Sequence, residues 1–210
     1  MYIPAQFAEN RADVMHRLMH EHSLGTLVTL GEDGLQANHI PFEIVSDGSP
    51  FGRLQAHVAR SNPVWREETQ IESLIVFQGA QAYISPSLYE TKKEHGKVVP
   101  TYNYMVVHAY GRLRAVDDPQ WVHALLARLS ARHEAGRAAP WSIDDAPAGF
   151  IDSLLSQIVG IEIEITRLQG KWKVSQNQPA RNRASVEAGL REQGGEQSVA
   201  MAEAVALRAG

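Results

Sequence analysis

Leu54-Gln55-Ala56-His57-Val58-Ala59-Arg60-Ser61-Asn62-Pro63-Val64-Trp65 begins with apolar and polar residues in alternation, the pattern of a strand with one buried face. At Asn62-Pro63 it turns toward a short helix, since proline suits the first helical position and asparagine can cap it. Free backbone N–H groups at such a start attract anions, and Arg60 and the Ser61 hydroxyl stand beside them. A phosphate belongs here on that reasoning; an ordinary capped turn with a solvated arginine accounts for the same residues.

The rest of the chain narrows the choice. With 210 residues, 44% hydrophobic and 21% charged, it is long enough to bury a sizeable core as one large domain or one domain with appendages. No apolar run approaches the roughly 20 residues that cross a bilayer, and Met1-Tyr2-Ile3-Pro4 lacks the basic start and apolar block of a signal peptide. The absence of cysteine excludes disulfides, thiolate nucleophiles and Cys-ligated metal, so a cytoplasmic protein without a membrane partner is expected. A net charge of -4 argues against a surface given over wholly to nucleic acid, though not against a local basic patch.

Asn10-Arg11-Ala12-Asp13 starts a helix with Val14, Met15, Leu18 and Met19 on one face. Strands follow at Gly25–Thr29 and Leu35–Phe42, joined by a hairpin turn at Gly31-Glu32-Asp33-Gly34. Two more are expected at Glu72–Gly79 and Gln81–Ser85, separated by a glycine turn. A polar loop from Pro86 to Pro100 is longer than most connections. Residues 98–113 restore strand character, being dense in β-branched and aromatic side chains. A helix after Asp117-Asp118-Pro119 carries Val122, Leu125, Leu126 and Leu129, and another after Pro147 turns Phe150, Ile151, Leu154 and Leu155 inward. Ile161-Glu162-Ile163-Glu164-Ile165-Thr166 alternates strictly. Six or so short antiparallel strands with a helical excursion at about 118–157 predict a closed or partly closed barrel over residues 1–177; 178–210 form a helical arm or tail.

Gly170-Lys171-Trp172-Lys173-Val174-Ser175-Gln176-Asn177 gathers two lysines, an indole and three amide or hydroxyl groups just after a strand. That is poor material for a core and fair material for a polar planar ligand, or else a solvated turn anchored by one Trp.

Met1-Tyr2-Ile3-Pro4, Leu24–Thr29, Ala37–Phe42, His57–Pro63, Val99–Tyr104 and Gly170–Asn177, in that order, make the chain similar to the PaiB-type family of bacterial FMN-binding negative transcriptional regulators. Ser61 and Tyr102 stand where that family commonly has Ala and Trp. The resemblance implies a mainly β fold with helices, a split β-barrel related to pyridoxamine phosphate oxidase and the flavin reductases, working as a homodimer with FMN at the subunit interface. It places the phosphate at His57, Arg60, Ser61 and Asn62, and the flavin ring near Asn38 and His39. Lys173, Gln176 and Asn177 would come from the end of the sequence; Tyr102 and Asn103 are ring neighbours, with Tyr104 left between site and core.

No metal is expected, because the nine histidines are scattered: His20-Glu21-His22 does not place two ligands on one helical face. Motifs for hydrolysis or nucleotide binding by a P-loop are missing, and no acid–base pair marks a catalytic centre. Two functional classes remain, a flavin-responsive regulator and a flavin-dependent oxidoreductase or flavin reductase; a haem-binding split barrel is a further alternative. DNA as a partner rests on the resemblance, since no helix-turn-helix or arginine-rich arm is recognisable.

Overall fold

A computed structural model describes residues 1–31, 33–66, 71–147 and 149–208. In chain order the elements are β1 (Ala8–Glu9), α1 (Ala12–Glu21), β2 (Leu24–Gly31), β3 (Gly34–Pro41), β4 (Glu43–Val45), β5 (Arg53–Ala59), β6 (Ser73–Ile84) and α2 (Lys92–His95). They continue with β7 (Thr101–Gly111), β8 (Leu113–Val116), α3 (Pro119–Glu134), α4 (Phe150–Leu155), β9 (Ile158–Glu164), β10 (Arg167–Lys173), α5 (Ala180–Gln193) and α6 (Glu196–Leu207). The chain divides into two compact units, Met1–Leu18 with Phe77–His108 and Gln169–Gly210, and Met19–Val76 with Ala109–Leu168.

In the second unit, β2 pairs antiparallel with β3 and with the start of β6. The turn expected between β2 and β3 includes Glu32, which lies outside the described residues. A separate sheet runs β4-β5-β9-β8. Its buried face is built from directly opposed pairs, Leu54 with Ile163, Ala56 with Ile161 and Val58 with Val159. The other face carries Gln55 opposite Glu162, and Glu162 is opposite Arg114 on its far side. Strict alternation in 161–166 predicts a strand, which β9 is, and Glu162 on its polar face is buried. It accepts hydrogen bonds from Arg53 (3.0 Å), Gln55 (2.8 Å) and Arg114 (2.6 Å). Burial raises its pKa, but these donors outweigh that and hold the carboxyl below its ordinary range.

α3 lies over this polar face. Asp118 caps it, accepting from the backbone of Gln120 and Trp121, and Val122, Leu125 and Leu129 are buried as the periodicity predicts. Trp121 rests directly on Gly160 of β9, where any side chain would collide with the indole. In α4 only Leu155 is buried; Phe150 and Leu154, expected inward, are exposed, because a six-residue helix has room for one inward turn.

In the first unit the strand order is β1-β10-β7-β6. β6 is one strand where two were expected. Gly79 is not a turn: its missing side chain admits Leu18 of α1 and Met105 of β7, with an added Cβ only 2.9 Å from Leu18 Cδ1. The helical segment expected at 178–210 is α5 and α6, whose Val186, Leu190, Met201, Ala202 and Val205 are buried with Ala80, Ile84, Tyr89 and Val174. Glu9 is buried and ion-paired to Arg11 and to Arg208, which ties the end of α6 to the start of the chain. Among the described residues no helix is long and apolar enough to cross a membrane.

Gly160→Ala is expected to cost about 1–3 kcal/mol in chemical denaturation by driving Trp121 off β9. Because the Glu162 pKa is depressed on folding, its contribution is present above the unfolded glutamate value and disappears as pH falls through the folded one. Glu162→Gln is therefore expected to lower stability at pH 7 and flatten the loss of stability below about pH 4, read from melting curves across pH.

Candidate functional site

The second unit holds six of the residues singled out in the sequence, and the geometry parts them. Asn62 caps the 3-10 turn Pro63–Trp65 by accepting from Val64 N at 3.0 Å, as the sequence predicts. Its Nδ2 donates to Asn38 Oδ1 at 2.8 Å, bringing those two amides together. Successive residues of a strand face opposite ways. Asn38 therefore shares a face with its cross-strand partner Leu27, which is fully buried, while His39 is exposed on the other side opposite Thr26.

Arg60 is engaged within the protein. It makes a bidentate pair with Asp117 at 2.6 and 2.8 Å and donates to the carbonyls of Ser156 and Ile158. Its guanidinium also lies 5.9 Å from the Trp65 ring centre. The hydrogen bond from Arg60 holds the Asp117 carboxyl below its ordinary range. Ser61 is exposed beside it. A phosphate at this turn would have to compete with a carboxylate for the guanidinium, and a three-residue turn offers little helix dipole. His57 faces α3 rather than the turn and lines a cleft with residues of that helix; burial lowers its pKa and keeps the imidazole neutral near pH 7.

The first unit holds the other five. Asn103 is buried and donates to Ser175 Oγ at 2.8 Å, leaving its own Oδ1 enclosed without a partner among the described residues. Its neighbour Tyr102 points the opposite way, 56% exposed, with its ring edge-on to Tyr83 at 5.7 Å. Gln176 folds back on its own turn, accepting from Val174 N at 2.8 Å and donating to Trp172 O, while Asn177 is exposed. Ser175 adopts φ 64, a left-handed conformation that only its surroundings can impose on a non-glycine residue.

The segment expected to be a closing turn is a strand as far as Lys173, with Trp172 and Val174 in the core. Alternation then sends Lys171 and Lys173 to a common face. Lys173 donates to Tyr102 O at 2.6 Å and to Thr101 Oγ1. The Lys171 ammonium donates to Tyr2 O at 3.2 Å, 5.9 Å from the Tyr2 ring centre and 5.2 Å from that of Tyr104. Among the described residues neither lysine has a carboxylate partner. Burial, and then the nearby Lys171 charge, lower the Lys173 pKa.

Two adjacent ammoniums without a counter-charge, flanked by tyrosines, suit an anionic ligand with a flat aromatic part. FMN has that composition, so the residues on this face of β7 and β10 fit it: lysines for the phosphate, tyrosines for the ring. Lys171 and Tyr2 were not singled out in the sequence and Tyr104 was left between site and core, although the spacing of Lys171 from Lys173 within a strand was a usable signal. Nothing in the sequence signals the backbone of Ser175. Among the described residues no group of three or more His, Asp or Glu side chains is placed to hold a metal ion.

A family model described as "Putative FMN-binding domain" matches residues 1–167. The chain is 33% identical over 178 residues to "Protease synthase and sporulation protein PAI 2" of Bacillus subtilis, covering 84% of this chain and 83% of that one. It is 34% identical over 226 residues to an uncharacterized protein of Emericella nidulans, covering 90% of each. With relatives in a fungus and a bacterium, likeness to a bacterial family does not assign this chain to bacteria. Among solved structures, the FAD and heme binding protein of Mycobacterium smegmatis superposes with a TM-score of 0.59 at 14% identity, over 79% of this chain and 73% of that one. The shared fold is the split barrel expected from the sequence.

Asp117→Ala removes a largely exposed partner of Arg60 and is expected to lower stability by less than about 1 kcal/mol in urea titrations.

Proposed function

This chain belongs to the FMN-binding domain family, and from that premise we propose that it is an FMN-binding negative regulator of transcription, working as a homodimer with the flavin at the subunit interface. The observation that carries the flavin site is the pair Lys171 and Lys173, uncompensated by any carboxylate among the described residues and bordered by Tyr2, Tyr102 and Tyr104. In this reading the lysines hold the phosphate and the tyrosines bound the ring. Burial beside a second ammonium makes the charged Lys173 more favourable with an anion in place than without one.

The regulatory half of the proposal is supported by similarity to the Bacillus subtilis protein, whose name attaches it to protease synthesis and sporulation. The dimer is supported by the exposed Tyr83 and Tyr102 rings, an aromatic pair of the kind enriched at protein interfaces. Bound FMN supplies one- or two-electron transfer, so a flavin reductase is the competing reading.

Titration with FMN, followed by quenching of flavin fluorescence, tests the site. Lys171→Ala with Lys173→Ala is expected to weaken binding by about tenfold or more, the scale of a lost charged hydrogen bond, while Arg60→Ala leaves it unchanged. The opposite pattern would move the phosphate to the turn after β5 and overturn this assignment. Light scattering of the FMN-loaded protein reads the dimer. Anaerobic addition of a nicotinamide cofactor reads the chemistry: the regulator keeps its flavin oxidised, and rapid bleaching marks a reductase.

A further inference from the structure

The polar face of β5 contains a second ligand site of a different character. Arg128 of α3 donates to Gln55 Oε1 at 2.7 Å and to Glu43 Oε2 at 2.9 Å, which fixes the helix over that face. Two residues along the strand, on the same face, is His57. Leu126, Leu129, Ser130 and His133, spaced i, i+3, i+4 and i+7, form one stripe of α3 above it. Trp141 closes one side, its backbone N–H held by Glu134 Oε2 at 3.2 Å, and Pro41 closes another. The cleft they enclose has a volume of about 280 Å³, at the small end of ligand sites and sufficient for one or two fused rings.

Its walls are chiefly apolar, and among the described residues that line it His57 carries the one buried side-chain polar atom without a hydrogen-bond partner, Nδ1. The Nδ1 atom is enclosed. Neutral imidazole has one N–H donor and one lone-pair acceptor. Enclosing an unpaired N–H is the costlier choice, so the proton belongs on Nε2, which is then available as a donor. The chiefly apolar walls would strip a charged guest of its hydration without supplying a free counter-charge, which favours a neutral partner. Glu134 already accepts from Trp141 and pairs with Arg137.

We propose that the cleft between His57 and α3 binds a small neutral aromatic molecule bearing a carbonyl or similar acceptor, with the ring between Leu126, Leu129 and Trp141 and the acceptor on His57 Nε2. The site is separate in chemistry from the lysine face and needs no flavin, so in a flavin-dependent regulator it is the place for an effector.

Benzamide is the probe, with benzoate and benzylamine as charged comparators, followed in the His57 imidazole and Trp141 indole resonances of the full chain by heteronuclear NMR. Saturable shifts in both with benzamide, much weaker with either charged analogue, are expected. His57→Phe should weaken benzamide about tenfold while the apolar walls remain. Leu126→Trp should abolish binding by filling the cleft, with circular dichroism verifying the fold; should that variant fail to fold, the wild-type and His57→Phe titrations decide alone. FMN fluorescence titrations in the presence of saturating benzamide should give an unchanged flavin affinity. Absence of shifts in wild type, equal binding by His57→Phe, preference for a charged analogue, or competition with FMN would each overturn the proposal.

Discussion

The second unit is organised by one buried carboxylate. Glu162 sits on β9 with Gln55 directly opposite on one neighbouring strand and Arg114 directly opposite on the other, and it bonds both as well as Arg53. A slip of one residue would turn Glu162 into the apolar face and Ile161 and Ile163 out of it. The penalty for an unpaired buried charge exceeds what most single contacts contribute, so three strands share one register. The same network reaches α3 through Arg128 and Gln55. The helix, the cleft beneath it and the orientation of His57 are consequences of a register set by charge pairing.

The first unit poses the reverse electrostatic problem. Lys171 and Lys173 are drawn to one side of β10 by strand alternation, while Trp172 between them is buried and Val174 after them is taken into the core with α5 and α6. Glu9, the nearby buried acid, is already satisfied by Arg11 and Arg208. The lysines are left with carbonyl and hydroxyl acceptors and tyrosine faces, which solvate an ammonium but do not neutralise it. Under the proposed function a ligand carrying phosphate would complete this arrangement, whereas Arg60 is already paired with Asp117.

Much of the architecture was legible because it depends on local periodicity. The α1 face of Met15, Leu18 and Met19, the α3 stripe and the Asn62 cap all follow from spacing and side-chain chemistry within a few residues. The candidate site was less legible. Asn38 with His39, and Tyr102 with Asn103, are adjacent in sequence and were grouped together; extended backbone sends the members of each pair to opposite faces. Arg60 looked available for an anion because Asp117, 57 residues further on, is invisible to any local pattern. Gly79 resembled a turn because the side chains that need its space, Leu18 and Met105, come from distant parts of the chain.

By itself the sequence determined family membership, a mainly antiparallel fold with helices, and the presence of cationic, aromatic and amide groups matched to a flavin mononucleotide. Tertiary structure alone decided which of those groups are spent internally and which remain for a ligand. The reason is that hydrophobic periodicity and capping act over one or two turns of chain, whereas charge neutralisation and close packing act through space between residues the sequence holds far apart.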